Sequence, residues 1–418
     1  MINKLKSKNL LIYIIISIVI NFYVSAILGQ GIAFNNSEYS NLPVFNNDNL
    51  GFSNSLQNKI SFRDFCPPVL QQKGNSCVGW AVAYETMSTF YNIIFDIKDE
   101  SEKFMFSFDP YFIYNLIKEH NDYECEEPVY AYLALDVLKY RGCKKMWTPN
   151  LSSCELTTSE NSENFSKPFK IKNYYSGGID WDLFPISKKK EIFKNILNLK
   201  TPIIIGLNTK ESIYNLPSNG LWSFNYKEKK IGGHAVTIIG YDDNKFGGAF
   251  EIMNSWGVEY GENGYMWINY NDLFDSKILQ EFYIINFYEN FGEGKCLFGN
   301  CFNNYSHGFM ENKSRYEGEM KNYRYSNYGI KTSEKLIYAG YFKDGFFNGN
   351  GIIMEKESKK MYSVRFLNGE LISNIELGFN STEKNELNKM INNLQSLEYY
   401  EKIDNENLDS LLISDQLK

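Results

Sequence analysis

Apolar side chains recur at Trp80, Tyr84, Met87, Tyr91 and Ile94, the three- and four-residue steps of one helical face. The spacing predicts a helix over 76–95, with Asn75 or Ser76 as its N-cap. Tyr132, Leu135 and Leu138 repeat the pattern over 128–141. Past residue 200 the period shortens. "PIIIGLN", "HAVTIIGYD", "FEIMNSWG" and "YMWINY" are brief β-rich runs broken by Gly, Asn and Asp. Helices first and strands later predict one α+β domain over 61–290. A polar stretch, "LTTSENSENFSK" at 156–167, reads as a loop inside it.

A longer period takes over at 292–375. "YEGEMKNYRYSNYGI" starts at Tyr316, "YAGYFKDGFFNGNGI" starts 22 positions later at Tyr338, and "YSVRFLNGE" follows 24 further on at Tyr362. In the first two units a glycine falls 13 positions after the tyrosine, at Gly329 and Gly351. Each unit reads as two short strands around a Gly/Asn turn. One such unit cannot bury a core, so several must stack, with their aromatics packed between neighbouring hairpins. Beyond them, Leu387, Met390, Ile391, Leu394 and Leu397 share one face of an expected terminal helix within 376–418.

Composition changes this picture little. Of 418 residues, 43% are hydrophobic and 22% charged, which suits a globular chain with room for two or three domains. The net charge of −7 gives no reason to expect a nucleic-acid partner. The N-terminus matters more. Lys4, Lys6 and Lys8 precede the apolar run "NLLIYIIISIVINFYV", and Val24-Ser25-Ala26 fits a small-x-small cleavage site. Residues 1–29 therefore read as a signal peptide, or, uncleaved, as a membrane anchor. Either implies an exported chain, secreted, periplasmic or at the cell surface, where disulfides form. Residues 30–60 are rich in Asn and Ser and read as a linker or short lead-in.

Seven cysteines, an odd number, leave at least one thiol outside any internal pairing. Cys77 stands out, because it opens the first long amphipathic helix after the polar run "QQKGNS". Taken alone, Cys77 is as well read as a buried or bridged cysteine, and His234 as a structural histidine. Taken with His234, 157 residues later, and Asn254, 20 after that, another chemistry emerges. A helix N-terminus and a neighbouring imidazolium favour the thiolate, the nucleophilic form of cysteine. The imidazole can then protonate a leaving amine. An amide can hold that ring in one orientation without adding charge. The Cys77 backbone N–H and the Gln71 side-chain amide are candidate donors to a developing oxyanion. A zinc site is disfavoured, since the chain has no CxxC or HxxxH spacing. A phosphate loop is disfavoured too, and no cofactor motif appears. Cys296 and Cys301 read as a local disulfide.

Three motifs in order, Gln71-x5-Cys77, "GGHAV-x-I-x-GYD" and "NSWG-x3-G-x2-GY", resemble the papain family of cysteine peptidases. The resemblance spans about 61–288, with "FDPYFIYNL" and "TPIIIGLN" as smaller matches in order. It implies a two-lobed fold, helical on the left and β-rich on the right, with the cleft between. It also implies Cys77 as nucleophile, His234 as acid/base, Asn254 as orienter, Gln71 as oxyanion donor and Trp256 as a shield over the Asn254–His234 contact. The substrate implied is a protein or peptide. The chain departs from the pattern in three ways. Many members have Trp directly after the nucleophile and a further Cys three residues before it, whereas here Trp80 follows three positions on. An alignment that puts Gly79 at the nucleophile position would leave the protein inactive. "CEEPVYA" from Cys125 lacks the glycines that usually present backbone to substrate, and the lead-in is short for the usual inhibitory propeptide. The Tyr/Gly units resemble MORN repeats, which implies a stacked hairpin sheet able to meet a surface or protein partner. The rival function is an inactive peptidase-like scaffold acting through those repeats.

Overall fold

The computed structural model describes residues 31–45, 56–146, 153–154, 169–274, 277–286, 298–299, 303–309, 315–321 and 324–376. The expected leader, the Cys296–Cys301 pair, the 156–167 loop and the terminal helix lie outside them. Among the described residues no helix is long and apolar enough to cross a membrane.

The first amphipathic stretch forms one unbroken helix from Cys77 to Ile94. Cys77–Gly79 and Ser88–Ile94 are α-helical, and Trp80–Met87 between them has the wider π-helical winding. All eight π-wound residues are buried. A single amphipathic stripe therefore undercounts how deep this helix lies, because it runs through the middle of the domain. The expected cap is not made. The Ser76 hydroxyl donates back to the Lys73 carbonyl, and the Asn75 amide reaches the Glu126 carbonyl, so neither side chain closes the helix N-terminus. Shorter helices at Pro110–Asn115, capped by the Asp109 carboxylate, and at Ala131–Tyr140 complete the helical lobe.

The β-rich lobe is an eight-stranded sheet. Along it run β4 (Asn173–Ser176), β10 (Leu279–Asn286), β5 (Ile203–Lys210), β7 (Lys230–Asp242), β8 (Ala249–Met253), β9 (Tyr265–Asn269) and β6 (Leu221–Trp222), with β2 (Lys59–Ser61) also paired to β7. The core runs continuously from the central helix into this sheet. At their contact Thr237 on β7 bridges to the Thr86 hydroxyl at 2.9 Å and the Ala81 carbonyl at 3.1 Å. These buried bonds fix the helix that starts at Cys77 against the strand that carries His234.

The lead-in is structured over 31–45. Ile32–Ala33, β1, pairs in parallel with β3, Val129–Tyr130, and a short helix, Asn36–Asn41, follows. Parallel pairing of two-residue strands is weak by itself. Further contacts fix its position: the Tyr39 hydroxyl donates to the Phe282 carbonyl at 3.3 Å, and a backbone bridge joins Val44 to Ser176.

At the C-terminal end β11 (Phe298–Gly299) to β18 (Glu370–Glu376) form a second sheet in strict chain order, each strand antiparallel to the next. The repeat's period has a packing cause. Gly318 pairs with Gly329, and Gly340 with Gly351. The Tyr316 ring lies over Gly329 and the Tyr338 ring over Gly351, where a Cβ would meet ring atoms at 2.6 Å in each case. The glycine 13 positions after each tyrosine is thus the bare backbone on which that ring rests. Tyr338, Phe342, Phe347 and Phe366 fill the next layer, as expected for aromatics packed between hairpins. The other face rests on the helical lobe. Tyr328, Ile330 and Ile337 join its core, Tyr91 Oη donates to the buried Glu317, and Lys356 and Lys359 pair with Glu102 and Asp99.

Candidate functional site

Three of the sequence-derived residues meet where the helix, β7 and the loop after β8 converge. His234 Nε2 lies 2.8 Å from Asn254 Oδ1, an amide oxygen, so this ring nitrogen carries the proton and donates. Asn254 Oδ1 is held in turn by the Ser255 backbone N–H at 2.9 Å. The indole of Trp256 stacks on the imidazole with centroids 4.4 Å apart and planes at 25°. His234 Nδ1 is buried with no hydrogen-bond partner, which leaves it as the neutral ring's acceptor nitrogen.

Cys77 is a free thiol at the N-terminus of the buried helix. Backbone N–H groups of Ala235, the residue after His234, and of Gly31 face its sulfur, the latter at 3.3 Å. Gly79 faces elsewhere: a Cβ there would meet the Pro110 carbonyl oxygen at 2.3 Å. The alternative alignment, with Gly79 at the reactive position, therefore has no support in the packing. The turn before Cys77 also requires a glycine. Gly74 has φ +56°, and a Cβ would lie 2.3 Å from the Cys125 carbonyl oxygen. Cys125 is bonded to Cys154, so one disulfide anchors the segment against which that turn packs.

Gln71 does not join the buried cluster. It is exposed, bridged in antiparallel fashion to Trp256, with its side chain near Gly257. Its neighbour Gln72 is the buried one. It accepts from the Ser255 hydroxyl at 2.7 Å and donates to the Gly74 carbonyl at 2.7 Å, tying the turn before Cys77 to the loop that carries Asn254. The doublet Gln71-Gln72 gave no local signal for this division of labour. Tyr214, stacked on the outer face of Trp256 with centroids 5.7 Å apart, also escaped the sequence reading because it lies outside every motif.

The electrostatics differ from the activated pair the sequence suggests. Burial pushes the Cys77 thiol up to about 11, with backbone N–H groups only partly opposing it. Burial holds the His234 imidazole down to about 4 against the opposing bond to Asn254. Both groups are therefore neutral near pH 7 in this state, and the thiolate–imidazolium form is suppressed. The lead-in is a cause of that burial. Its Gly31 N–H occupies the sulfur, and Ile32 and Phe34 lie against Gly233, beside His234. While Gly31–Phe34 stay there, no substrate carbonyl can approach Cys77 Sγ. Although "CEEPVYA" lacks glycines, its Val129 N–H donates to the Gly31 carbonyl at 2.8 Å, so this edge does present backbone to an extended chain. Among the described residues no group of His, Cys, Asp and Glu could hold a metal ion.

The chain is similar in part to known proteins. Residues 111–284 match the model of the papain family cysteine proteases, a range that holds His234 and Asn254 and begins after Cys77. An uncharacterised peptidase C1-like protein of Acanthamoeba polyphaga mimivirus is 36% identical over 77 residues, 18% of this chain and 22% of that one. A cathepsin B-like cysteine proteinase of Caenorhabditis elegans is 24% identical over 128 residues, 31% of this chain and 35% of that one. The chain thus spans well under half the length of either relative. Among solved structures, xylellain, a cysteine protease from Xylella fastidiosa, is 19% identical with a TM-score of 0.48, covering 62% of this chain and 97% of that one. The stretch that holds His234 and Asn254 is thus similar to the papain family cysteine proteases.

Proposed function

We propose that the chain is a cysteine-type peptidase that cleaves peptide bonds through Cys77, His234 and Asn254. The observation that carries this reading is the oriented ring. His234 is fixed at Nε2 by Asn254 and shielded by Trp256, while Nδ1 stays unpartnered, at a strand that also lines Cys77. A purely structural histidine deep in a core ordinarily satisfies both nitrogens.

With the lead-in displaced, water and substrate reach the site and the cost of charge separation falls. Cys77 Sγ passes its proton to His234 Nδ1 and attacks the scissile carbonyl carbon. The negative charge on the carbonyl oxygen is met by the Cys77 backbone N–H and the Gln71 side-chain amide. The C–N bond breaks, the imidazolium returns its proton to the leaving nitrogen, and a thioester remains. A water then gives a proton to His234 and attacks the thioester carbon. The acid departs, and the thiol is restored. No cofactor enters this cycle.

The localisation and the repeat belong to the same proposal. The chain acts outside the cytoplasm, which the Cys125–Cys154 bond supports. Membrane attachment follows only if the N-terminal segment is uncleaved. The C-terminal sheet is a MORN-like repeat, in which the tyrosine-on-glycine packing supports the likeness, and its open edge is where a surface or protein partner would bind. The scaffold reading would gain from Cys77 in a disulfide; Cys77 is instead a free thiol.

The test is labelling by a biotinylated epoxysuccinyl probe, on the full chain and on a form lacking residues 1–45. Probe on Cys77 in the shortened form, and none on its Cys77→Ala variant, is expected. No labelling in either form, or equal labelling of the variant, overturns the proposal.

A further inference from the structure

The central helix carries an acid that the proposed cycle does not use. Glu85 lies on the π-wound stretch Trp80–Met87 and is fully buried. It faces the Ser255 hydroxyl and, on β7, the hydroxyl and backbone N–H of Thr237. Yet neither of its carboxyl oxygens accepts a hydrogen bond. Among the described residues no lysine, arginine or histidine offsets its charge. An ionised carboxylate in such a place is strongly disfavoured.

The hydrogens around it point the same way. The Ser255 hydroxyl donates to Gln72 Oε1 at 2.7 Å. The Thr237 hydroxyl donates to the Ala81 carbonyl at 3.1 Å, so it accepts from the Thr86 hydroxyl at 2.9 Å. A hydroxyl has one hydrogen, and both of these are committed elsewhere. Ser255 and Thr237 therefore turn lone pairs toward Glu85, and an ionised Glu85 would meet oxygen with oxygen. The Thr237 backbone N–H is the one donor left facing it, and it lies outside hydrogen-bonding geometry. A neutral acid suits both neighbours. Its carbonyl oxygen faces the Thr237 N–H, and its O–H faces Ser255.

Ser255 links this acid to the site. Its backbone N–H holds Asn254 Oδ1, the atom that orients His234. Its carbonyl accepts from the Gln72 backbone N–H at 2.7 Å, beside the hydroxyl bond to the Gln72 side chain. If Glu85 ionised, the Ser255 hydroxyl would turn from Gln72 to the carboxylate. That would loosen the tie between the turn before Cys77 and the loop that carries Asn254.

Resting on the peptidase reading, we propose that Glu85 is a positioning residue that acts as a neutral acid, donating its proton to Ser255 Oγ and so holding the loop that sets Asn254 and the His234 ring. Burial pushes this carboxyl well above its ordinary range, in keeping with that role. Neutrality serves the thiol too. A charge on Glu85 would raise the Cys77 thiol further, and Tyr84 is the other titratable group that senses it. An uncharged Glu85 leaves the thiolate easier to form.

The test compares wild type with Glu85→Gln, whose amide donates as the neutral acid does, and Glu85→Leu, which has no donor. On the full chain at pH 7, the infrared difference between wild type and Glu85→Gln should contain the C=O stretch of a protonated carboxyl. Hydrogen exchange at the Ser255 amide should speed about tenfold in Glu85→Leu and stay unchanged in Glu85→Gln. A carboxylate signal in place of the protonated one, or equal exchange in all three proteins, overturns the proposal. The infrared arm needs neither turnover nor the Leu variant, so it decides even where Glu85→Leu does not fold. Turnover is then measured on the full chain and on the form lacking residues 1–45. A fall in kcat of about tenfold or more in Glu85→Leu, with KM unchanged and kcat recovered in Glu85→Gln, is expected. Glu85→Leu as active as wild type, or Glu85→Gln as impaired as Glu85→Leu, also overturns it. Epoxysuccinyl labelling of Cys77 on the same samples shows separately whether the peptidase reading stands.

Discussion

The cleft and the hairpin sheet are assembled on opposite principles. The sheet pairs each strand with its chain neighbour, and its core is tyrosine on glycine at a fixed local spacing. The cleft gathers Cys77, His234 and Asn254 from distant stretches, plus Gly31 from the lead-in. Local assembly tolerates error one unit at a time. Distant assembly works only if the whole core places its parts, so its chemistry is set by burial as well as by residue identity. The same thiol and imidazole are neutral here because Gly31–Phe34 cover them.

Removing the cover should have the largest effect. Deleting residues 1–45 restores solvent to Cys77, and alkylation by iodoacetamide at pH 7 should speed by about a hundredfold as a thiol held up at about 11 by burial returns to its ordinary range. An unchanged rate would show that the surrounding core, not the lead-in, sets that elevation. Asn254→Ala comes next. It frees the ring and leaves Nε2 unpartnered, and turnover should fall by about 10²-fold with probe labelling of Cys77 retained, in line with lost orientation of a catalytic imidazole. Equal losses of labelling and turnover would mean that Asn254 holds the fold, not the ring.

On the other side of the comparison, Gly329→Val pushes a side chain into the Tyr316 ring. Overpacking of this kind should cost about 1–3 kcal/mol in urea unfolding. The cleft's labelling rate should not change, because the residues it uses lie in the other sheet and the helix. Tyr91→Phe tests the seam between the two regions. It removes the hydroxyl that meets buried Glu317, and a loss of about 1–3 kcal/mol is expected for a charged or neutral acceptor deprived of a donor. A change under a few tenths would make the seam dispensable. The most gradual effect is a pH slope. Buried His234 refuses a proton that an exposed histidine binds below about 6.5. The covered state binds fewer protons, so its stability is complete above pH 6.5 and declines as pH falls toward 4, by about 1.4 kcal/mol per unit at most. Hydrogen exchange at the Gly31 amide should accelerate over that window and flatten in His234→Gln.

Much of this was legible beforehand. The α+β order, the helix over 76–95 and the hairpin units follow from spacing and residue type, and the pairing of His234 with Asn254 under Trp256 was implied by the resemblance of the motifs to the papain family. Other features were not. The π-winding at Trp80–Met87 has no local signature, because it answers to packing on every side. The absent cap at Asn75 and Ser76 reflects competition from the Glu126 and Lys73 carbonyls. Gln71 and Gln72 are the same residue type side by side, and only the position of Ser255 decides which is buried. Residues 31–45 read as a polar linker because their partners, Val129 and Phe282, lie far along the chain.

What the sequence determined alone is therefore the set of chemical parts and the local periods that shape them. A thiol at a helix start, one imidazole, one amide and one repeated Tyr–Gly interval need no coordinates to be seen. Tertiary structure alone decided the state of those parts. It buried the thiol and the ring, and laid Gly31 on the sulfur. The physical reason is that desolvation and long-range contact depend on what the rest of the chain places nearby, and no local spacing encodes that.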